Sequence, residues 1–131
     1  PFTERAPQCA RSGNEFELDG DDTLHSLFYG ALRDTFFRFW FQRESNYVRR
    51  VAMSIVDEHP PPSFADRPSD LDFESWARES FAIARDRLYP AELQRGQRPP
   101  DRYLEMVGRL AKERVALAGY RLAALLEERL D

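Results

Sequence analysis

An all-α fold is predicted by three observations. Apolar residues recur at spacings of three and four along four stretches, proline, glycine or a capping residue bounds those stretches, and no β-rich alternation of any length is present. With 131 residues the chain is expected to form a single helical domain over 1–131, a loop at 1–20 followed by four helices. Hydrophobic residues at 42% and charged residues at 32% are the balance of a folded globular chain, and 13% aromatic content is a rich supply of core material.

Each element has its own signals. Pro1, Pro7, Gly13 and Gly20 break up residues 1–20, with a short extended piece expected around Asn14–Leu18. The first helix starts at Asp22–Thr23, either of which can offer a side-chain oxygen to the free amides of the first turn. It carries Leu24, Leu27, Phe28, Ala31, Leu32, Thr35, Phe36 and Phe39 on one face. A second helix runs from about Ser45 with Val48, Val51, Ala52, Ile55 and Val56, and His59-Pro60-Pro61-Pro62 ends it because proline lacks the amide that would continue the ladder. After the proline-rich loop 60–69, Asp70 or Asp72 caps a third helix reaching about Leu88, lined by Phe73, Trp76, Ala77, Ser80, Phe81, Ala84 and Leu88. The fourth and longest helix spans Asp101 to Leu130. Its expected stripe is Leu104, Val107, Leu110, Ala111, Val115, Ala118, Leu122, Leu125 and Leu126, and Glu113, Arg114, Glu127 and Arg129 read as solvated surface.

Composition excludes some classes of function. Lys+Arg total 19 against 23 Asp+Glu, a formal net charge of −4, so broad phosphate neutralisation is not the basis of binding and nucleic acid is not an expected partner. No apolar run is long enough to span a bilayer, and no signal-peptide core is seen. Cys9 is the only cysteine, which excludes an intrachain disulfide and a cysteine-rich zinc knuckle. Lys112 is the only lysine among the basic residues, a bias read as gene composition. Pro1 in place of Met leads us to expect processing or trimming before it.

Several motifs follow one another in a recognisable order. They are Pro1-Phe2-Thr3, Ser12-Gly13-Asn14, Thr23-Leu24-His25-Ser26-Leu27-Phe28-Tyr29, Trp76-Ala77-Arg78-Glu79-Ser80 and Ala118-Gly119-Tyr120-Arg121-Leu122-Ala123. Together they resemble the zinc-dependent single-strand-specific nucleases, secreted fungal and plant enzymes of the phospholipase C/nuclease superfamily. The corresponding family patterns are H-x-P-L-H, G-G-N, N-L-H-x-V-W-D, W-A-x-E-S and A-G-x-R-L-A. The resemblance covers nearly all of this chain but only the C-terminal half of the family fold, and it implies a helical scaffold and a secreted or periplasmic setting. In that family a zinc cluster held by His, Asp and an N-terminal Trp activates water for phosphodiester cleavage.

This sequence departs from the pattern at the ligands. Residues four apart on a helix share a face and can reach one metal. His25 matches the helix His, but Tyr29 stands where the Asp belongs and Thr3 where the final His of H-x-P-L-H belongs. His25 and His59 are the only imidazoles. Zinc is therefore not expected, and His25 reads as a vestigial ligand position. By the resemblance, Trp76, Glu79 and Ser80 are scaffold, with Trp76 filling core, and Arg121 belongs to the same set. Gly119 is expected to allow another helix close. A Ser80–His25–Glu79 triad is a further arrangement of these residue types, without a nucleophile-elbow signature around Ser80.

One segment exceeds the needs of a single core face. Phe36, Phe37, Phe39, Trp40 and Phe41 fall within six consecutive residues, and a helix turns ~100° per residue, so they cannot all point one way. Either this helix is buried on most sides within its own domain, or it contacts a protein partner or a second copy. The expected function is a non-catalytic structural or interaction subunit. The alternative is a fragment of a zinc-dependent phosphodiesterase whose other ligands come from a further segment or a partner chain.

Overall fold

The computed structural model describes residues 16–19, 23–30, 47–90 and 93–130. Within them lie four α-helices: α1 (Leu24–Gly30), α2 (Tyr47–Glu58), α3 (Phe73–Ile83) and α4 (Asp101–Leu130). No strand is present among the described residues, where Glu17 and Thr23 form one isolated antiparallel bridge. The all-α expectation holds, and α4 has the predicted bounds. The continuation of the first helix past Gly30, with Phe36, Phe37, Phe39, Trp40 and Phe41, lies outside the described residues, as does Thr3.

Local chemistry accounts for the ends of the elements. Thr23 caps α1 reciprocally with Ser26. The Ser26 amide donates to Thr23 Oγ1 at 3.2 Å and the Thr23 amide to Ser26 Oγ at 2.8 Å. α2 closes where the His59 amide bonds the Ile55 carbonyl at 2.9 Å, and the prolines then forbid another turn. Two 3-10 turns follow, Pro61–Phe64 and Arg67–Ser69, joined through Ala65, a non-glycine residue at φ 53°. Asp72 caps α3, its carboxylate accepting from the amides of Glu74 (3.0 Å) and Ser75 (3.2 Å). A π-helical turn, Ala84–Leu88, extends α3 to the predicted end.

Among the described residues the core forms two clusters along α4. At its N-terminal half Phe16, Leu18, Leu24, Leu93, Tyr103 and Val107 bury one another. The segment 16–19, expected as loop with a short extended piece around Asn14–Leu18, thus supplies two core side chains. It is held by Leu24 N–H on the Phe16 carbonyl (2.9 Å) and by Gly96 N–H on the Glu17 carbonyl (3.1 Å). Gly96 makes that second bond at φ +71°, a conformation that favours glycine. In the second cluster Val51 and Ile55 of α2, one turn apart, pack with Phe64, Ala116 and Leu117.

The predicted apolar faces need correction in three helices. On α4, Val107, Leu110 and Ala111 are buried as expected, but Val115, Ala118, Leu122 and Leu126 are exposed. The buried line runs instead through Tyr103, Val107, Leu110, Leu117 and Arg121, with Arg114 half-buried between the last three. α4 carries apolar residues on two faces, and among the described residues α1, α2 and the 3-10 turns pack on it along the buried one. α3 buries no residue, and Phe73, Ala77, Ser80 and Phe81 of its predicted face are exposed. On α2, Val51 and Ile55 are buried while Val48, Ala52 and Val56 are exposed.

Candidate functional site

The motif residues of α3 and α4 meet around one carboxylate. Glu79 Oε1 accepts from Arg67 Nε at 2.7 Å and from Arg67 Nη2, while Oε2 accepts from Arg114 Nη1 at 2.7 Å and Arg121 Nη1 at 2.8 Å. Four N–H donors fill the roughly four acceptor positions of a carboxylate. Burial pushes the Glu79 carboxyl up, but the hydrogen bonds from Arg114, Arg121 and Arg67 outweigh it and bring its pKa from 4.5 to about 2. Arg67 also reaches Glu113 at 3.5 Å. Glu113 and Arg114, read from the sequence as solvated surface, are therefore corrected to members of a tertiary ion cluster.

Neighbouring side chains fix this cluster in place. The Arg121 guanidinium lies 5.0 Å from the Trp76 ring centroid, and its Nε donates to the Arg67 carbonyl at 3.2 Å. Trp76 Nε1 donates to the Asp70 carbonyl at 2.6 Å, and the Phe73 ring meets Trp76 edge-on at 4.8 Å. Asp70 accepts from the Ser75 hydroxyl (2.6 Å) and the Asp72 amide (3.1 Å), contacts that hold its carboxyl below the ordinary value. Ser80 Oγ donates to the Trp76 carbonyl at 2.8 Å and accepts from Arg114 Nη2 at 3.2 Å. Trp76, Glu79, Ser80 and Arg121 are thus brought together.

Gly119 is not part of this arrangement. A Cβ built there meets nothing within 4 Å among the described residues, so the expected close helix approach is corrected: the glycine sits on the open side of α4. The triad arrangement fails as well. The Ser80 hydroxyl and the Glu79 carboxylate are held by Trp76 and the arginines, while His25 belongs to α1, whose Leu24 packs near Val107. From Val107 to Arg114 is seven residues, about 10 Å along a helix.

Between α3 and α4 lies an open groove of about 270 Å³, lined by Trp76, Ser80, Arg114, Ala118, Arg121, Leu122 and Leu125. Sequence reasoning missed Arg67 and Arg114. For Arg114 a signal existed: Arg114 and Arg121 are seven apart and continue the 103, 107, 110, 117 line, where an arginine on a core-facing position demands a partner. For Arg67 there was none, since it sits in a short turn without periodicity.

The metal question turns on the donor set. His25 and Tyr29 lie one turn apart on α1, and the Tyr29 side chain is outside the described residues. Among the described residues no three His, Cys, Asp or Glu side chains are grouped so as to hold a metal ion. No helix of the described residues is long and apolar enough to cross a membrane.

Comparison with known proteins gives one match. The family model of the S1/P1 nucleases matches residues 9–131, nearly the whole chain. No curated protein and no solved structure matches.

Proposed function

The chain belongs to the S1/P1 nuclease family, and from that premise we propose that these residues form a non-catalytic structural or interaction module built on the family's helical scaffold. The observation that carries this reading is the donor set on α1. One turn after His25 the residue is Tyr29, a phenol and a poorer zinc ligand than the carboxylate the family pattern places there. Thr3, which the sequence resemblance sets at another ligand position, has only a weakly coordinating hydroxyl. A single imidazole supplies little of the ~10–16 kcal/mol characteristic of structural zinc sites.

The scaffold half of the pattern supports the same reading from the other side. Trp76, Glu79, Ser80 and Arg121 form a connected arrangement whose work is to hold α3 and the 3-10 turns onto α4. The exposed apolar residues Phe73 and Phe81 on α3, and Val115, Leu122 and Leu126 on α4, favour an interaction role.

Metal analysis of the dialysed protein beside a single-stranded DNA digestion assay tests the proposal. We expect zinc far below one equivalent and no digestion above buffer. Zinc retained near one equivalent or more, with chelator-sensitive digestion, overturns it in favour of a phosphodiesterase completed by ligands from elsewhere.

A further inference from the structure

The groove between α3 and α4 has an unbalanced hydrogen-bonding inventory. The acceptor side is largely engaged: four N–H groups fill Glu79, and each Asp70 oxygen accepts one bond, from the Ser75 hydroxyl or the Asp72 amide. The donor side is not. Arg121, only 5% exposed, spends Nε on the Arg67 carbonyl and Nη1 on Glu79, and its Nη2 has no partner among the described residues. Arg114 spends Nη1 on Glu79 and Nη2 on Ser80, and its Nε has none. Among the described residues no side-chain nitrogen cut off from solvent lacks a partner, so these remaining N–H groups are open to solvent, and both arginines line the groove.

The rest of the lining is apolar. Trp76, Ala118, Leu122 and Leu125 surround the groove, and Leu122 is 56% exposed at its open side. A nearly buried guanidinium with an N–H to spare, at an apolar groove where the carboxylate it pairs with, Glu79, is already filled, selects a ligand that brings an anionic acceptor and an apolar body. The Glu79 carboxylate does not repel such a head as a bare charge would, since three guanidiniums surround it. We propose that this groove binds a small amphiphilic monocarboxylate, its carboxylate on Arg121 and Arg114 and its aliphatic body on Trp76, Ala118, Leu122 and Leu125. The site lies apart from α1 and does not depend on whether His25 holds zinc.

Hexanoate is the probe, titrated into the whole chain by calorimetry while the Trp76 indole N–H is followed by NMR. Saturable 1:1 binding with a Kd of about 1 mM or tighter is expected, a strength in keeping with so small a ligand. Hexanol, which lacks the charge, and hexylammonium, which reverses it, should bind at least about tenfold more weakly. Leu122→Asp changes an exposed side chain and leaves the fold intact by circular dichroism, yet should weaken hexanoate at least about tenfold. Leu130→Asp, exposed and outside the groove, should leave binding unchanged. No saturation by about 10 mM, hexanol binding as tightly as hexanoate, or Leu122→Asp without effect would each overturn the proposal.

Discussion

Along the first half of α4, Tyr103, Val107 and Leu110 face Phe16, Leu18, Leu24 and Leu93, and the contact is apolar apart from one hydroxyl. Along the second half, Arg114 and Arg121 stand on the same line of the helix and face Glu79, Arg67 and Trp76. The first region is held by burial, which is non-directional and worth ~25 cal/mol per Å². The second is held by directed, charge-assisted hydrogen bonds around one carboxylate. One helix therefore joins a region indifferent to acid to a region that needs its carboxylate ionised.

The largest expected effect follows from that difference. The Glu79 carboxyl titrates at about 2 in the folded chain against an ordinary 4.5, so its contribution is complete above pH 4.5 and is lost as pH falls toward 2. At ~1.4 kcal/mol per unit the shift amounts to about 3 kcal/mol, and the 21% exposure of the side chain brings this down to about 2. Thermal unfolding followed from pH 7 to pH 2 should show a steep acid limb in the wild type and a shallow one in Glu79→Gln. Equal slopes would mean that the carboxylate does not govern this end.

The apolar end should break in alkali instead. Burial, aided by Tyr89, raises the Tyr103 phenol, and its hydroxyl donates to the Leu88 carbonyl at 2.9 Å. A raised folded pKa means that stability is complete below the unfolded value of ~10 and is lost as pH climbs above it. Tyr103→Phe should lose about 1 kcal/mol at pH 7 and flatten the alkaline limb while leaving the acid limb untouched. An altered acid limb in that variant would join the two regions into one.

Smaller changes sharpen the contrast at the elements between the two ends. α3 has no buried residue, so its cap carries unusual weight. Asp72→Ala should cost about 1 kcal/mol and loosen amide exchange at Glu74 and Ser75 before it affects α4. Ala65 holds φ 53° and ψ −125° between the two 3-10 turns, a conformation glycine adopts more readily. Ala65→Gly should raise stability by about 0.5–1 kcal/mol, read as a higher midpoint in urea. A lower midpoint would show that the entropy lost by glycine outweighs the strain relieved.

Much of this architecture was legible in the residues alone. Thr23, Asp72 and the prolines at 60–62 and 99–100 mark ends of elements through short-range chemistry, and short-range chemistry is what a sequence displays directly. The buried pair Val51 and Ile55 followed from spacing in the same way. Arg114 was readable in principle from its place on the line 103, 107, 110, 117, but its charge argued for solvent. Phe16 and Leu18 were not readable, since a piece of two apolar residues outside any helix has no period to measure.

By itself the sequence determined the helical class, the caps and breaks, the order of the family motifs and the presence of Tyr29 one turn after His25. All of these depend on residue identity and on neighbours within about one turn. Only the tertiary structure decided which of two apolar faces of α4 is covered, that Arg67 and Arg114 join Arg121 on Glu79, and that Gly119 and Leu122 look outward. A helix with apolar residues on two sides has two equivalent ways to be buried by its own pattern. The choice lies with segments far away in the chain, here the turn at Arg67–Ser69 and the helix at Phe73–Ile83, whose contacts with α4 span 34 to 54 residues of sequence.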